Sequence, residues 1–197
     1  MVQINGRYFY IDKTGKTSGR TYEYAQSFSE GLAVVQIKGK YGYIDKTEKI
    51  IIPVQYDRAF EFSEGLAKVL IDDRAGYVDI NGKVKIKAEY MDCGKFKDGA
   101  APVQKNTKYG YINENGKYIV EEKYEYGSDF SEGLAVVRDG EKYGYIDNKG
   151  KYGIMPQYDE AYEFENGVAV VKSDKEYMVI NGEGNIVWRE RKSGKLQ

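Results

Sequence analysis

The chain of 197 residues contains no histidine. That removes the commonest general base and the commonest metal-ligating side chain together. It has one cysteine, so no disulfide within the chain holds it together. Three prolines are spread along it, and no Pro-, Ser- or Gln-rich linker interrupts it. No apolar run approaches the roughly 18 residues of a membrane helix, so no membrane span is expected. Charge of neither sign dominates: 30 Lys and Arg stand against 31 Asp and Glu. A duplex nucleic-acid binder usually carries a basic excess, so that class of partner is not expected. The opening residues MVQINGRYFY lack the apolar core of a signal peptide. A cytoplasmic location is the default expectation, and an envelope or secreted one if a leader or flanking domain has been removed.

What the chain has in quantity is tyrosine, 20 of them, and glycine, 23 of them. Tyrosine favours strands and glycine the turns between them. Both recur with a period. Gly31, Gly65, Gly99, Gly133 and Gly167 stand 34 residues apart, as do Phe28, Phe62, Phe96, Phe130 and Phe164. Tyr22, Tyr56, Tyr90, Tyr124 and Tyr158 keep the same step. A fixed period of this size marks a tandem array of one supersecondary unit.

Each unit reads as three short strands. The first is the YGYID type, Tyr41 to Asp45 and Tyr109 to Asn113, followed by an Asp/Asn-x-x-Gly turn. The second runs through IIIPVQYD and its equivalents, and the third is the LAVVQI type after FSEG. The third strand alternates as a half-buried strand does, and no segment has helical periodicity. The expectation is an all-β chain of about six three-stranded antiparallel units of about 34 residues, stacked as an open, twisted, solenoid-like array. A closed, propeller-like ring of six is the alternative, disfavoured because propeller blades usually have four strands. Residues 1–197 form a single repeat domain on this reading. Its units step at about residues 8, 41, 75, 109, 143 and 177, and residues 1–7 are the last strand of a preceding unit.

The pattern aromatic-Gly-Tyr-Ile-Asp, then I-I-P-x-x-Y-D, then F-x-E-G-L-A resembles the bacterial WG repeat family, also called KWG repeats. Residues 40–67, KYGYIDKTEKIIIPVQYDRAFEFSEGLA, match it best, and the resemblance covers essentially the whole chain. The position that names the family holds Tyr41, Tyr109 and Tyr143 here, falls to Ala75, and is Tyr177 followed by Met178 in place of glycine. Phe9 likewise stands where the first glycine belongs. The resemblance implies a bacterial repeat protein, and it adds little about function because members mostly lack an assigned activity.

Each candidate site also has a structural use. A serine nucleophile in FSEG (Ser29, Ser63, Ser131) would need a base, and its column changes to Lys97 and Glu165 while the glycine never changes. Cys93 lies in a column of small residues, Ala25, Ala59, Gly127 and Ala161, which points to a buried, inert thiol. The acidic column Glu23, Asp57, Glu125 and Asp159 is broken by Met91, so no metal site is expected. No cofactor and no catalysis are expected. The remaining candidate is a ladder of Lys40 and Tyr41, Lys108 and Tyr109, and Lys142 and Tyr143, a stripe of cations beside rings. Tyrosine covering apolar surface and lysine guarding strand edges is the structural reading of the same residues. Two functions follow: a module presenting its variable columns (Tyr24, Arg58, Asp92, Tyr126, Glu160) to a protein partner, or a binder of cell-wall glycan through exposed, parallel tyrosine rings.

Overall fold

The computed structural model describes residues 1–190. All of its regular elements are β-strands. The chain divides into two compact units, Met1–Lys95 and Phe96–Gln197.

The first unit opens on a hairpin, Val2–Ile4 with Arg7–Phe9. A sheet of Tyr24–Ala25, Leu32–Ile37, Lys40–Asp45 and Ile50–Tyr56 follows, its neighbours in chain order. The next sheet repeats the plan with Arg58–Ala59, Leu66–Ile71, Arg74–Asp79 and Val84–Tyr90. In the second unit Ala100–Gln104, Tyr109–Asn113 and Tyr118–Tyr124 pair in order. Two complete sheets come after them. One is Tyr126–Ser131, Leu134–Asp139, Lys142–Asp147 and Tyr152–Tyr158. The other is Glu160–Ala161, Val168–Ser173, Glu176–Asn181 and Ile186–Arg189.

The complete sheets correct the expected strand count: each has four strands, not three. The extra strand precedes FSEG and mostly spans two residues, as where Tyr24 and Ala25 pair with Gln36 and Val35. Two residues are too few to show a period-two alternation, so they read as part of a turn. The column of small side chains is this strand, where Ala25, Ala59 and Cys93 are all buried.

The turns follow from their letters. In Ser29-Glu30-Gly31-Leu32 the end residues exchange both backbone hydrogen bonds, and both central residues have positive φ, 50° and 85°. That is a two-residue type I′ hairpin, which needs Gly, Asn or Asp character at its centre. Glu30, Glu64, Asp98, Glu132 and Asn166 all adopt the left-handed conformation ahead of the glycine. At the Asp-x-x-Gly turn, Asp45 accepts the N–H groups of Thr47 (2.8 Å) and Lys49 (3.0 Å) on one carboxylate oxygen. Asn113 and Asn181 do the same with an amide oxygen. Aspartate and asparagine therefore exchange freely there, because only the acceptor is needed.

The glycine of YGY has a different cause. A Cβ on Gly42 would lie 2.8 Å from the carbonyl oxygen of Ile52, where the outer strand bulges across it. Gly76, Gly110 and Gly144 stand against the same backbone in their own sheets. Met178 replaces this glycine in the last sheet, and there Val179 and Met178 pair in register with Trp188 and Arg189.

The core lies between consecutive sheets. In the first unit Leu32, Val34, Tyr43, Ile52 and Tyr56 of one sheet pack on Ala59, Phe62, Ala67, Val69 and Val78 of the next. In the second unit Val136, Tyr145, Ile154 and Tyr158 meet Phe164, Ala169, Val171, Met178 and Ile180 in the same register.

Candidate functional site

The second tyrosine of each YGY is a core residue with a polar end. Tyr43, Tyr77, Tyr111 and Tyr145 are fully buried, and each hydroxyl donates to a backbone carbonyl 17 residues on. The acceptors are Phe60 (2.7 Å), Gly94 (2.7 Å), Ser128 (3.0 Å) and Tyr162 (2.8 Å). Each bond reaches from one sheet to the segment ahead of the following hairpin. Burial raises the pKa of the Tyr43, Tyr111 and Tyr145 phenols, so these groups stay protonated donors.

The first tyrosine sits at the sheet end. A row of paired residues crosses each sheet there. It reads Tyr24, Gln36, Tyr41, Tyr56 in one sheet and Arg58, Leu70, Ala75, Tyr90 in the next. In the second unit it reads Tyr126, Arg138, Tyr143, Tyr158 and then Glu160, Lys172, Tyr177. The inner end of the row changes with each repeat, while its outer end is a constant buried tyrosine wherever the row is complete. Tyr41, Tyr109 and Tyr143 are half-buried. Tyr8, Tyr24 and Tyr41 follow one another edge to face at 5.6 and 6.0 Å. Tyr109, Tyr126 and Tyr143 follow at 6.2 and 6.1 Å, the first pair tilted at 54° and the second edge to face at 62°. The variable column thus interleaves with the tyrosine ladder, and the rings are tilted against each other rather than parallel.

The lysines of the ladder are engaged. Lys40 pairs with Asp57, Lys108 with Glu125 and Lys142 with Asp159. The same carboxylates accept backbone N–H groups from the turn of the next hairpin: Asp72 at 2.7 Å, Gly140 at 3.0 Å and Asp174 at 2.9 Å. These hydrogen bonds, the lysine's first, hold the Asp57, Glu125 and Asp159 carboxyls below the usual carboxylate range. The Asp57 and Asp159 carboxylates in turn raise Lys40 and Lys142. The acidic column is a set of turn clamps. Glu23 has the same role with the N–H groups of Lys38 and Gly39.

The FSEG hydroxyls are also accounted for. Ser29 donates to the Phe62 carbonyl and Ser131 to that of Phe164, both at 2.8 Å. The acid beside the serine reaches the next turn: Gly65 N–H donates to Glu30 at 2.9 Å, Gly133 to Asp98 at 3.1 Å and Gly167 to Glu132 at 2.8 Å. Cys93 is buried, and its carbonyl accepts from Lys68 Nζ at 2.7 Å.

One residue breaks the column of turn glycines. Glu48 occupies the turn position held elsewhere by Gly15, Gly82, Gly116, Gly150 and Gly184, with φ of 60°. Its buried carboxylate accepts the Tyr22 hydroxyl at 2.8 Å. It borders an open cleft of about 650 Å³ together with Tyr10, Asp12, Lys16, Ser18 and Ser27. A glutamate in a glycine column was the available signal. Among the described residues, no group of three or more His, Cys, Asp or Glu is arranged to hold a metal ion. Among the same described residues, no helix is long and apolar enough to cross a membrane.

Comparison with solved structures finds the same fold at low identity. BamB from Moraxella catarrhalis is 11% identical with a TM-score of 0.52, over 96% of this chain and 69% of that one. Hsv2 from Kluyveromyces lactis is 12% identical with a TM-score of 0.51, over 82% of this chain and 60% of that one. A structure described as the eukaryotic initiation factor is 9% identical with a TM-score of 0.55, and 52% of its length is spanned. No curated protein matches the chain. The family described as WG containing repeat matches residues 8–41, 41–74, 76–109, 109–143 and 143–177. The five matches run in tandem through both compact units, and the chain belongs to the WG containing repeat family.

Proposed function

We propose that this repeat module is non-catalytic and presents the ends of its sheets to a protein partner. The observation that carries the reading is the row at each sheet end. Its inner residues are Tyr24 with Gln36, Arg58 with Leu70, Tyr126 with Arg138 and Glu160 with Lys172. The backbone beneath them does not change. A constant scaffold under a changing row is how solenoid arrays build extended binding surfaces. Tyr and Arg are also the side chains enriched where partners bind. The serine hydroxyls, the column of acids and the ladder lysines all have structural partners, which supports the non-catalytic part of the reading.

The glycan reading rests on the same ladder and draws support from the ring of Tyr126, which is 41% exposed. Flat stacking of sugars asks for open ring faces, and the tilt between neighbouring rings favours the protein partner. Affinity capture with cell lysate and with purified envelope polymers, run side by side, separates the two. Retention of a protein that is lost in Arg58→Glu and Tyr126→Ala supports the first reading. Retention on glycan alone supports the second.

For the array we propose the open, twisted stack, with a closed ring as its alternative. The four-stranded meander removes the strand-count objection to a ring, since it is also the unit of a propeller. Small-angle scattering distinguishes them. A compact chain of this length has a radius of gyration near about 16 Å, and a clearly larger value for the monomer favours the stack.

A further inference from the structure

An asparagine followed by glycine can close on itself, because a glycine nitrogen carries no side chain to crowd its approach to the asparagine amide. A folded chain sets two conditions on that reaction. A hydrogen bond from the glycine N–H opposes its deprotonation. Donors to the amide oxygen favour attack, since they stabilise the charge that forms there. Asn-Gly occurs at Asn5, Asn81, Asn115, Asn166 and Asn181.

Three of these glycines have their N–H engaged. Gly82 donates to the Asp79 carbonyl at 2.8 Å and Gly116 to the Asn113 carbonyl at 2.9 Å. Gly167 donates to the Glu132 carboxylate at 2.8 Å, so a side chain of the preceding repeat guards Asn166. The equivalents of Gly6 are Gly39 and Gly140, which donate to Glu23 and Glu125, a position that precedes residue 1 in the case of Gly6.

Asn181 differs by its place in the turn. It opens an Asn-x-x-Gly turn in which Gly184 donates to the Asn181 carbonyl at 2.8 Å. Gly182 is the second residue of that turn, whose N–H the turn leaves unbonded. It is exposed, and among the described residues no acceptor meets it. The Asn181 amide oxygen meanwhile accepts the N–H groups of Glu183 at 3.1 Å and Asn185 at 2.9 Å. Asn113 has the same two donors in Asn115 and Lys117, but Glu114 follows it and its side chain crowds the nitrogen. Asn181 combines the donor pair with a free glycine N–H.

We infer that Asn181 is a site of spontaneous modification, converted through a succinimide to aspartate and isoaspartate. The Gly182 nitrogen gives its proton to solvent base and bonds to Asn181 Cγ. The Cγ–Nδ2 bond breaks, and the amide nitrogen takes a proton from water and leaves as ammonia. A second water opens the imide at either carbonyl. The aspartate product is the residue already present at Asp45, Asp79 and Asp147, which bind the same two N–H groups, so the turn survives it. The isoaspartate product routes the main chain through an extra methylene. It breaks the Gly184 bond and the one from Asn181 N–H to the Asn185 carbonyl, and should release Ile186–Arg189 from the sheet. The turn closes the far end of the strand that carries Tyr177, so the reaction is independent of the sheet-end row.

Peptide mapping by mass spectrometry after incubation at neutral pH, folded and in urea, reads each site separately. In urea Asn81, Asn115, Asn166 and Asn181 should convert at similar rates, because only the following glycine matters there. Folded, Asn181 should outpace the other three by roughly tenfold, the rate equivalent of one hydrogen bond. Gly182→Ala meets open space and should hold Asn181 intact without lowering the thermal midpoint. Glu132→Gly removes the guard and suits the φ of 54° at that position, so Asn166 should become labile in a chain that still melts cooperatively. Equal folded rates at the four sites would overturn the inference. So would a folded Asn181 that stays intact while its counterpart in urea converts, or an Asn166 unchanged by Glu132→Gly.

Discussion

The hydroxyl of Ser29 donates to the carbonyl of Phe62, 33 residues away, at 2.8 Å. Glu30 accepts the N–H of Gly65 from the same pair of turns. This FSEG turn thus holds its successor by two hydrogen bonds, and Ser131 with Glu132 does the same to Phe164 and Gly167. Ser131→Ala should lower stability by about 0.5–1.5 kcal/mol, the net worth of one such bond. Urea unfolding checks this. The outcome that would count against it is a loss no larger than that of an exposed control such as Ser18→Ala.

The two tyrosines of YGY should respond differently to loss of their hydroxyl. Tyr43→Phe leaves the Phe60 carbonyl without its donor in a buried site, at a cost of about 1–3 kcal/mol. Tyr41→Phe alters a half-buried ring at the sheet end and should stay within about 0.5 kcal/mol. Paired denaturant curves of the two variants give the comparison directly.

Glycines separate into three classes under alanine substitution. Gly42→Ala drives a Cβ into the Ile52 carbonyl and should cost about 1–3 kcal/mol or more, since backbone must move. Gly31→Ala meets nothing but forces a left-handed alanine at φ of 85°, for about 1–2 kcal/mol. Gly182 has open space and no positive φ, so Gly182→Ala should be close to neutral. Thermal midpoints in the order Gly182→Ala, Gly31→Ala, Gly42→Ala, highest first, are the expected result.

The turn clamps predict an acid-side loss of stability. Asp57 and Asp159 are held below their ordinary 3.8, and Glu125 below 4.5. A depressed folded value means the contribution is complete above the unfolded value and disappears as pH falls through the folded one. The loss should therefore begin below about pH 4, where unfolded carboxyls start to bind protons. Lys40 and Lys142 are raised, so their share is present at neutral pH and is lost as pH climbs past their ordinary 10.5. These groups are partly or largely exposed, so salt should flatten both limbs. Asp57→Asn with Asp159→Asn should shallow the acid limb of a Tm-against-pH curve.

Period and composition carried most of this architecture. Thirty-four-residue columns of Gly, Phe, Tyr and Ala mark strands, turns and inward faces in the sequence itself. The short strand at Tyr24–Ala25 escaped notice because two residues hold no alternation, although its small-residue column was visible. The constancy of Gly42 was visible, but its cause was not, since the carbonyl it must clear belongs to a strand ten residues away. At the candidate site, proximity of lysine and tyrosine in sequence said nothing about Asp57, 17 residues from Lys40. Columns report which side chains are interchangeable, whereas a lysine's partner depends on where the chain returns. The variable column was visible as a column, but the strand that carries it and its interleaving with the rings of Tyr41 and Tyr143 needed the register.

The sheets do not begin where the sequence repeats begin. The sheet ending at Tyr56 takes Leu32–Ile37 from one sequence repeat and Ile50–Tyr56 from the next, with Lys40–Asp45 across the boundary at residue 41. A gene rearrangement that removes or duplicates one whole period, cut at matching points, therefore rejoins a complete sheet at the junction. The cut point is immaterial. Because no strand belongs to a sealed module, the number of repeats is free to drift by unequal crossing-over while every sheet keeps its strands.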